Sequence, residues 1–250
     1  MAHGTSALRK RRPFSILPQP DGTTCGPTCL HAVYQYYGER IALDRIIQEV
    51  PALEQGGTLA VFLACHALRR GYQATIYTYN LHVFDPSWFG DTPANLRAKL
   101  AEQSRCKQSP KLRKATEGYL EFLDLGGKVR FEDLSRGLIR DALMNDRPIL
   151  TGLSATYLYR TPRETADDGR EDDVRGLPSG HFVVLCRYDR TKREVLVADP
   201  LDPNPLSKSH VYSIGIDRAI GAILLGVITY DANLLILEPK NSGRGRKAAK

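Results

Sequence analysis

The chain has 250 residues, 42% hydrophobic and 25% charged, with a formal net charge of +7. That balance excludes a disordered chain, a collagen and a coiled coil, and the length suits one large domain or two small ones at roughly 100–200 residues each. Arg9, Lys10, Arg11 and Arg12 in residues 1–12, with Lys240, Arg244, Arg246, Lys247 and Lys250 in residues 240–250, supply nine positive charges and no acid, which leaves the rest at −2. The basic character therefore belongs to two ends, 1–13 and 236–250, read as disordered tails. No aromatic-interleaved basic patch points to specific nucleic-acid binding. Apolar runs such as Ala222–Val227 and Phe182–Cys186 fall far short of the ~20 residues a membrane helix needs, and no apolar stretch follows the basic N-terminus as in a secretory signal. A cytoplasmic location is expected, with the five cysteines (25, 29, 65, 106 and 186) reduced, since an odd number argues against a disulfide framework.

In chain order, Pro18 to Thr24 reads as a loop, and Cys25-Gly26-Pro27-Thr28-Cys29 opens a helix. Leu30, Val33, Tyr34 and Tyr37 share one helix face, Pro27 suits the first turn and Gly38 the stop, so the helix is expected over about 26–37 with Cys25 at its N-terminal end. A short helix over 43–50 and a stronger one over 58–70 follow, then a strand over 73–79. Residues 93–105 and 111–123 read as helices of an inserted middle segment, about 86–125. A helix over 131–145 and a buried strand over 148–153 come next. Residues 154–179 hold six acids (Glu164, Asp167, Asp168, Glu171, Asp172 and Asp173) and four arginines, and read as a long surface loop. Strands are expected over 181–188, 194–198, 211–214 and 222–230. Helices first and strands later make one α+β domain, residues 14–235, with an N-terminal helical part on a C-terminal antiparallel sheet.

Cys25 is the sharpest chemical feature. A thiol at a helix tip faces unpaired N–H groups and the positive end of the dipole, both of which favour the nucleophilic thiolate. Gly26 next to it leaves room for a substrate backbone to approach. Cys29, one turn on, reads as core, as do Cys65, Cys106 and Cys186. Among the histidines, His3 is in the tail, His31, His66 and His82 read as structural, and His210 lies in a polar turn. His181 stands at the mouth of an apolar central strand and is the candidate base. A hairpin turn around 189–192 would put Asp199 opposite or nearly opposite His181, close enough for the carboxylate to orient the imidazole. Asp202 is a weaker candidate. Gln19, six residues before Cys25, can donate an amide N–H to a developing oxyanion beside the Cys25 backbone N–H.

These residues resemble the C39 peptidase family: Gln19, then Asp21-Gly-Thr-Thr-Cys25-Gly-Pro-Thr-Cys-Leu, Tyr36-Tyr37-Gly38, Gly180-His181-Phe-Val-Val and Asp199-Pro200. Gly57-Thr58 with the helix after it and Gly71 also fits. The resemblance spans about 14–230. It implies a papain-like cysteine peptidase fold in a stand-alone soluble member, with Cys25 as nucleophile, His181 as base, Asp199 as orienter and Gln19 as oxyanion donor. It also implies a peptide or protein substrate, in known members cut after a double glycine, and no cofactor. The inserted middle, the acidic loop, Thr24 in place of a frequent Asp, and Pro27-Thr28 in place of small residues depart from the family pattern. The acidic loop beside His181 is a candidate cover for the cleft or selector of basic substrates. Two alternatives share the constellation: papain-like acyl transfer to an amine, and an inactive peptide-binding module. A zinc site from Cys25, Cys29 and His31 lacks a second ligand cluster. The oligomeric state is not legible.

Overall fold

The computed structural model describes residues 13–54, 56–90, 94–166 and 169–240. Both basic ends, apart from residues 13 and 236–240, and Asp167 and Asp168 of the acidic run lie outside the described residues. Helices α1 (Cys25–Tyr37), α2 (Leu43–Glu49) and α3 (Ala60–Arg69) come first, then strand β1 (Tyr72–Thr78). After a 3₁₀ turn at Pro86–Phe89 come α4 (Leu96–Cys106), α5 (Pro110–Asp124), β2 (Lys128–Arg130) and α6 (Arg136–Met144). The rest is β3 (Ile149–Ser154), α7 (Ala155–Tyr159), β4 (Gly180–Asp189), β5 (Glu194–Ala198), β6 (Val211–Gly215), α8 (Ile216–Leu225), a 3₁₀ turn at Gly226–Thr229 and β7 (Asn233–Pro239).

The strands form one seven-stranded sheet in the order β2-β1-β7-β3-β4-β5-β6. Only β1 and β2 pair in parallel; every other neighbour is antiparallel. The sheet is covered on both faces. Phe182, Val184, Leu235 and Leu237 face α1, α3 and α5, whereas Val183, Leu185, Leu234 and Ile236 face α6, α7 and α8. Central strands buried on both faces need apolar residues at successive positions, which is why β4 reads Phe-Val-Val-Leu and β7 Leu-Leu-Ile-Leu.

Four expectations are corrected. Residues 222–230 are not a strand: their apolar residues continue α8, which lays Ile216, Ala219, Ala222 and Ile223 on the sheet, and the chain breaks at Tyr230 and Ala232 with positive φ. The C-terminal tail starts later than 236, because β7 runs to Pro239 between β1 and β3. The acidic segment 154–179 begins with helix α7, capped by Ser154 Oγ accepting from the Tyr157 N–H, and is pinned by bridges from Glu164 to Glu171 and Leu177. Residues 131–145 are helical only from Arg136, and β2 was not anticipated. The α+β arrangement of helices on an antiparallel sheet holds. Among the described residues no helix is long and apolar enough to cross a membrane.

Helix α1 is the element that positions the site. Its residues Cys25 to Tyr34 are all buried, so it runs through the interior rather than over the surface. Gly38, at φ 88°, ends it in a left-handed cap whose N–H returns to Gln35 O. The room at Gly26 is taken by the protein itself. A Cβ there would lie 2.6 Å from Thr58 Cγ2 and 3.3 Å from Phe182 Cδ2, so glycine lets α1 seat against the loop before α3 and against β4. Gly26→Ala is therefore expected to destabilise the fold by about 1–3 kcal/mol through overpacking. Denaturant unfolding would show this as a lower midpoint at unchanged slope.

Candidate active site

Cys25 is the first residue of α1 and is 8% exposed. The loop before it is tied by its own polar groups: Asp21 Oδ1 accepts from the Thr23 N–H and Oγ1, each at 2.7 Å, and Thr24 Oγ1 donates to Asp21 O. No side chain caps α1, and Pro27 in its first turn carries no N–H. Thr24 instead closes the turn through its carbonyl, which accepts from the Thr28 N–H and Oγ1. Cys29, four residues on, is fully buried and donates its thiol to Phe182 O at 3.2 Å. Burial, then the neighbouring Cys25, pushes that thiol well above its ordinary range, so it stays neutral core.

His181, on β4, meets Asp199 just past β5: Nε2 lies 2.8 Å from Asp199 Oδ1. With Nε2 engaged there, Nδ1 is the nitrogen left to face Cys25. Burial works against charge on the imidazole, but hydrogen bonds to Asp199 and Cys25 outweigh it and raise its pKa. The two residues are not directly opposed, however. Asp189 pairs with Glu194, a β-bulge follows between Leu185 and Arg187, and beyond it Val184 pairs with Ala198. Asp199 thus comes opposite Val183, and reaches His181 along the diagonal. Without the bulge it would come opposite Val184 and point to the other face of the sheet, away from His181.

The surroundings of Asp199 were not anticipated. Its carboxylate is fully buried and accepts five hydrogen bonds. Tyr159 Oη, Tyr212 Oη and Asn204 Nδ2 donate to Oδ2 at 2.8, 2.6 and 2.8 Å, and the Leu201 N–H and His181 Nε2 donate to Oδ1. Burial alone would raise the Asp199 pKa, but His181 and Tyr212 lead the donors that hold it below the usual carboxylate range. Burial, reinforced by the adjacent charge, drives both tyrosines upward, so they remain hydrogen-bond donors. His210 braces the main chain: its carbonyl accepts from the Asp199 N–H, and its Nδ1 lies 3.1 Å from Asp199 O. The tyrosines come from distant elements and carry no local mark in the sequence.

Gln19 lies beside this loop, its N–H donating to Pro200 O at 2.8 Å. Its Nε2 donates one hydrogen to Asp21 O at 2.8 Å, and its Oε1 is enclosed without a partner among the described residues. The structure therefore gathers Cys25, His181, Asp199 and Gln19 at one end of the sheet, where α1 begins. Asp202 is not among the groups that engage Asp199. Its neighbour Asn204 supplies the donor instead. His31 pairs with Gln35, and His66 with Tyr34 and Glu49. Among the described residues no group of three or more His, Cys, Asp or Glu side chains is placed to hold a metal. All five cysteines are free.

The Peptidase_C39 like family matches residues 12–219, a stretch that contains all four side chains. The chain belongs to that family. No curated protein is close enough to match it. Solved structures similar to this C39-like chain include the peptidase domain of Streptococcus ComA, a bi-functional ABC transporter involved in a quorum-sensing pathway. It is 12% identical with a TM-score of 0.43, over 91% of this chain and 100% of that one. A second is a double glycine motif protease from an AMS/PCAT transporter in complex with the leader peptide, 13% identical with a TM-score of 0.42, over 93% and 96% of the two chains. A third is xylellain, a cysteine protease from Xylella fastidiosa, 14% identical with a TM-score of 0.44, over 91% and 84%. The papain-like α+β fold expected of the family is the fold of this chain, and the family implies peptide substrates.

The C39-like site holds one more acid that the sequence did not single out. Asp231 is 7% exposed, and its carboxylate accepts one hydrogen bond, from Thr229 Oγ1 at 3.1 Å. Burial raises its pKa to about 7, against smaller opposing effects of Thr229, Lys111 and His181. Between the ordinary carboxylate range and about 7 the folded chain keeps this proton and the unfolded chain does not, so stability falls as pH rises through that window. Asp231→Asn is expected to raise the thermal midpoint more at pH 8 than at pH 5. An equal change at both values would contradict this assignment.

Proposed function

We propose that the chain is a cysteine peptidase or amide hydrolase whose nucleophile is Cys25. The observation that carries this reading is the hydrogen bond from His181 Nε2 to a fully buried Asp199 carboxylate, on a strand end that brings the imidazole to the tip of α1. In this mechanism His181 Nδ1 takes the Cys25 proton and the sulfur attacks the scissile carbonyl. Asp199 fixes the tautomer and stabilises the imidazolium. The oxyanion that forms receives the Cys25 backbone N–H and the second Nε2 hydrogen of Gln19, the one not given to Asp21. Collapse of the tetrahedral intermediate expels the amine, which leaves with the imidazolium proton, and water then hydrolyses the thioester with His181 again as base.

Family membership supports a peptide as substrate. Cleavage after a double glycine is part of the proposal and not of the family match: the neighbour named for that motif shares 13% of its residues with this chain. Two variants test the nucleophile. Cys25→Ala is expected to abolish labelling by a peptide-like electrophile at the site, and Cys29→Ala, whose thiol is spent on Phe182 O, is expected to keep it. Mass spectrometry of the labelled peptide distinguishes them; equal labelling of both variants would refute the assignment. Comparing peptide termini in cells carrying the wild-type chain and Cys25→Ala then identifies the cleaved bond.

A further inference from the structure

Among the described residues, Asp231 is the one buried acid beside the site that the mechanism leaves unused. Its carboxylate lies across the ends of β3 and β4. A Cβ on Gly152 would meet Oδ1 at 2.4 Å, and one on Gly180 would meet Oδ2 at 2.9 Å, so two glycines on adjacent strands make way for it. Gly152 is paired with Phe182, and directly paired residues share a face of the sheet. Phe182 is the residue against which Gly26 of α1 packs. Asp231 and the helix tip carrying Cys25 therefore sit on the same face, over the same pair of strands. Gly180, immediately before His181, is itself exposed.

A buried carboxylate has about four acceptor positions, and leaving them empty is costly. Asp199 fills its own with five donors. Asp231 has only Thr229 among the described residues. Lys111, at the start of α5, does not close the gap, because its Nζ donates to Thr229 O and sits 4.8 Å from the Tyr230 ring centroid. The other titratable groups facing Asp231 are Tyr119 of α5 and His181 of β4.

We propose that Asp231 is a specificity-determining residue whose carboxylate receives an N–H donor of the bound peptide on the sheet side of the cleft. The donor is a backbone amide or a cationic side chain crossing the strand ends at Gly180. This proposal rests on the thiol-peptidase reading above and adds to it the side of the cleft that chooses the substrate.

Peptide vinyl sulfones of one parent sequence test it. The Cys25 sulfur adds to the vinyl β-carbon and the α-carbon takes the proton, so the alkylation rate reads recognition without a known natural substrate. One series replaces each lysine of the parent by norleucine, and a second N-methylates successive backbone amides. In the wild type, one substitution is expected to slow alkylation about tenfold, as for loss of a charge-assisted hydrogen bond. In Asp231→Asn and Asp231→Ser the parent itself should slow by that factor and the substitution should no longer matter. Sensitivity to norleucine identifies a cationic side chain as the donor, and sensitivity to N-methylation a backbone amide. Equal rates for all probes in the wild type, or discrimination that survives in both variants, would overturn the proposal. Failure of the thiol reading would look different: iodoacetamide would alkylate wild-type Cys25 no faster than the exposed Cys106, which serves as internal control.

Discussion

The organisation of this protein depends on keeping one negative charge in the interior. A carboxylate removed from water is unfavourable by several kcal/mol unless donors replace the lost hydration. Asp199 meets that demand with donors from β4, α7, β6 and the loop after β5, so four separate parts of the fold converge on two oxygen atoms. The convergence runs both ways. The donors make the charge tolerable, and the charge fixes where the donors stand. His181 is one of them, and its orientation follows from the others.

The second requirement is a helix driven through the middle of the molecule. A surface helix would leave Cys25 on a mobile edge. Burying α1 along most of its length lets both its tip and β4 be set by packing, and the absence of a Cβ at Gly26 brings them into contact. The sheet makes this possible because it is covered on both sides. One face holds α1 with α3 and α5, and the other holds α7 and α8, which deliver Tyr159 and support the strand end that carries His181. A site at this junction draws rigidity from both cores at once.

The two acids buried among the described residues differ in how the protein serves them. Asp199 is saturated by the protein and contributes a fixed, ionised charge. Asp231 is enclosed almost as well but is served by a single hydroxyl, and burial raises its pKa to about 7, so it is about half ionised at neutral pH. Natural proteins retain such local deficits mostly where activity requires them.

Much of the site was legible in the chain itself. Cys25 before Gly-Pro, the histidine heading an apolar strand and the Asp-Pro after the next strand are local signals, because a helix start, a strand mouth and a turn each leave a mark within a few residues. Local pattern also gave, within two residues at each end, the helices expected over 26–37 and 58–70 and the strand expected over 148–153. It failed where apolar residues have no single meaning. Ala222 to Val227 reads equally as strand or helix, and the choice depends on which face of the sheet lies beneath it. The central strand β7 looked like the start of a tail, since its pairing partners are residues 72–78 and 149–152, far away in sequence. What the amino-acid order determined alone is the set of groups: a thiol, an imidazole and a carboxylate in sequence, each at the end of an element. Only the tertiary structure decided that they meet. One bulge between Leu185 and Arg187 turns Asp199 to the face of His181, and the hydroxyls of Tyr159 and Tyr212 make its burial bearable. A bulge is a shift of strand register, and a donor network is assembled from remote parts of the chain, so neither leaves a trace in residue spacing.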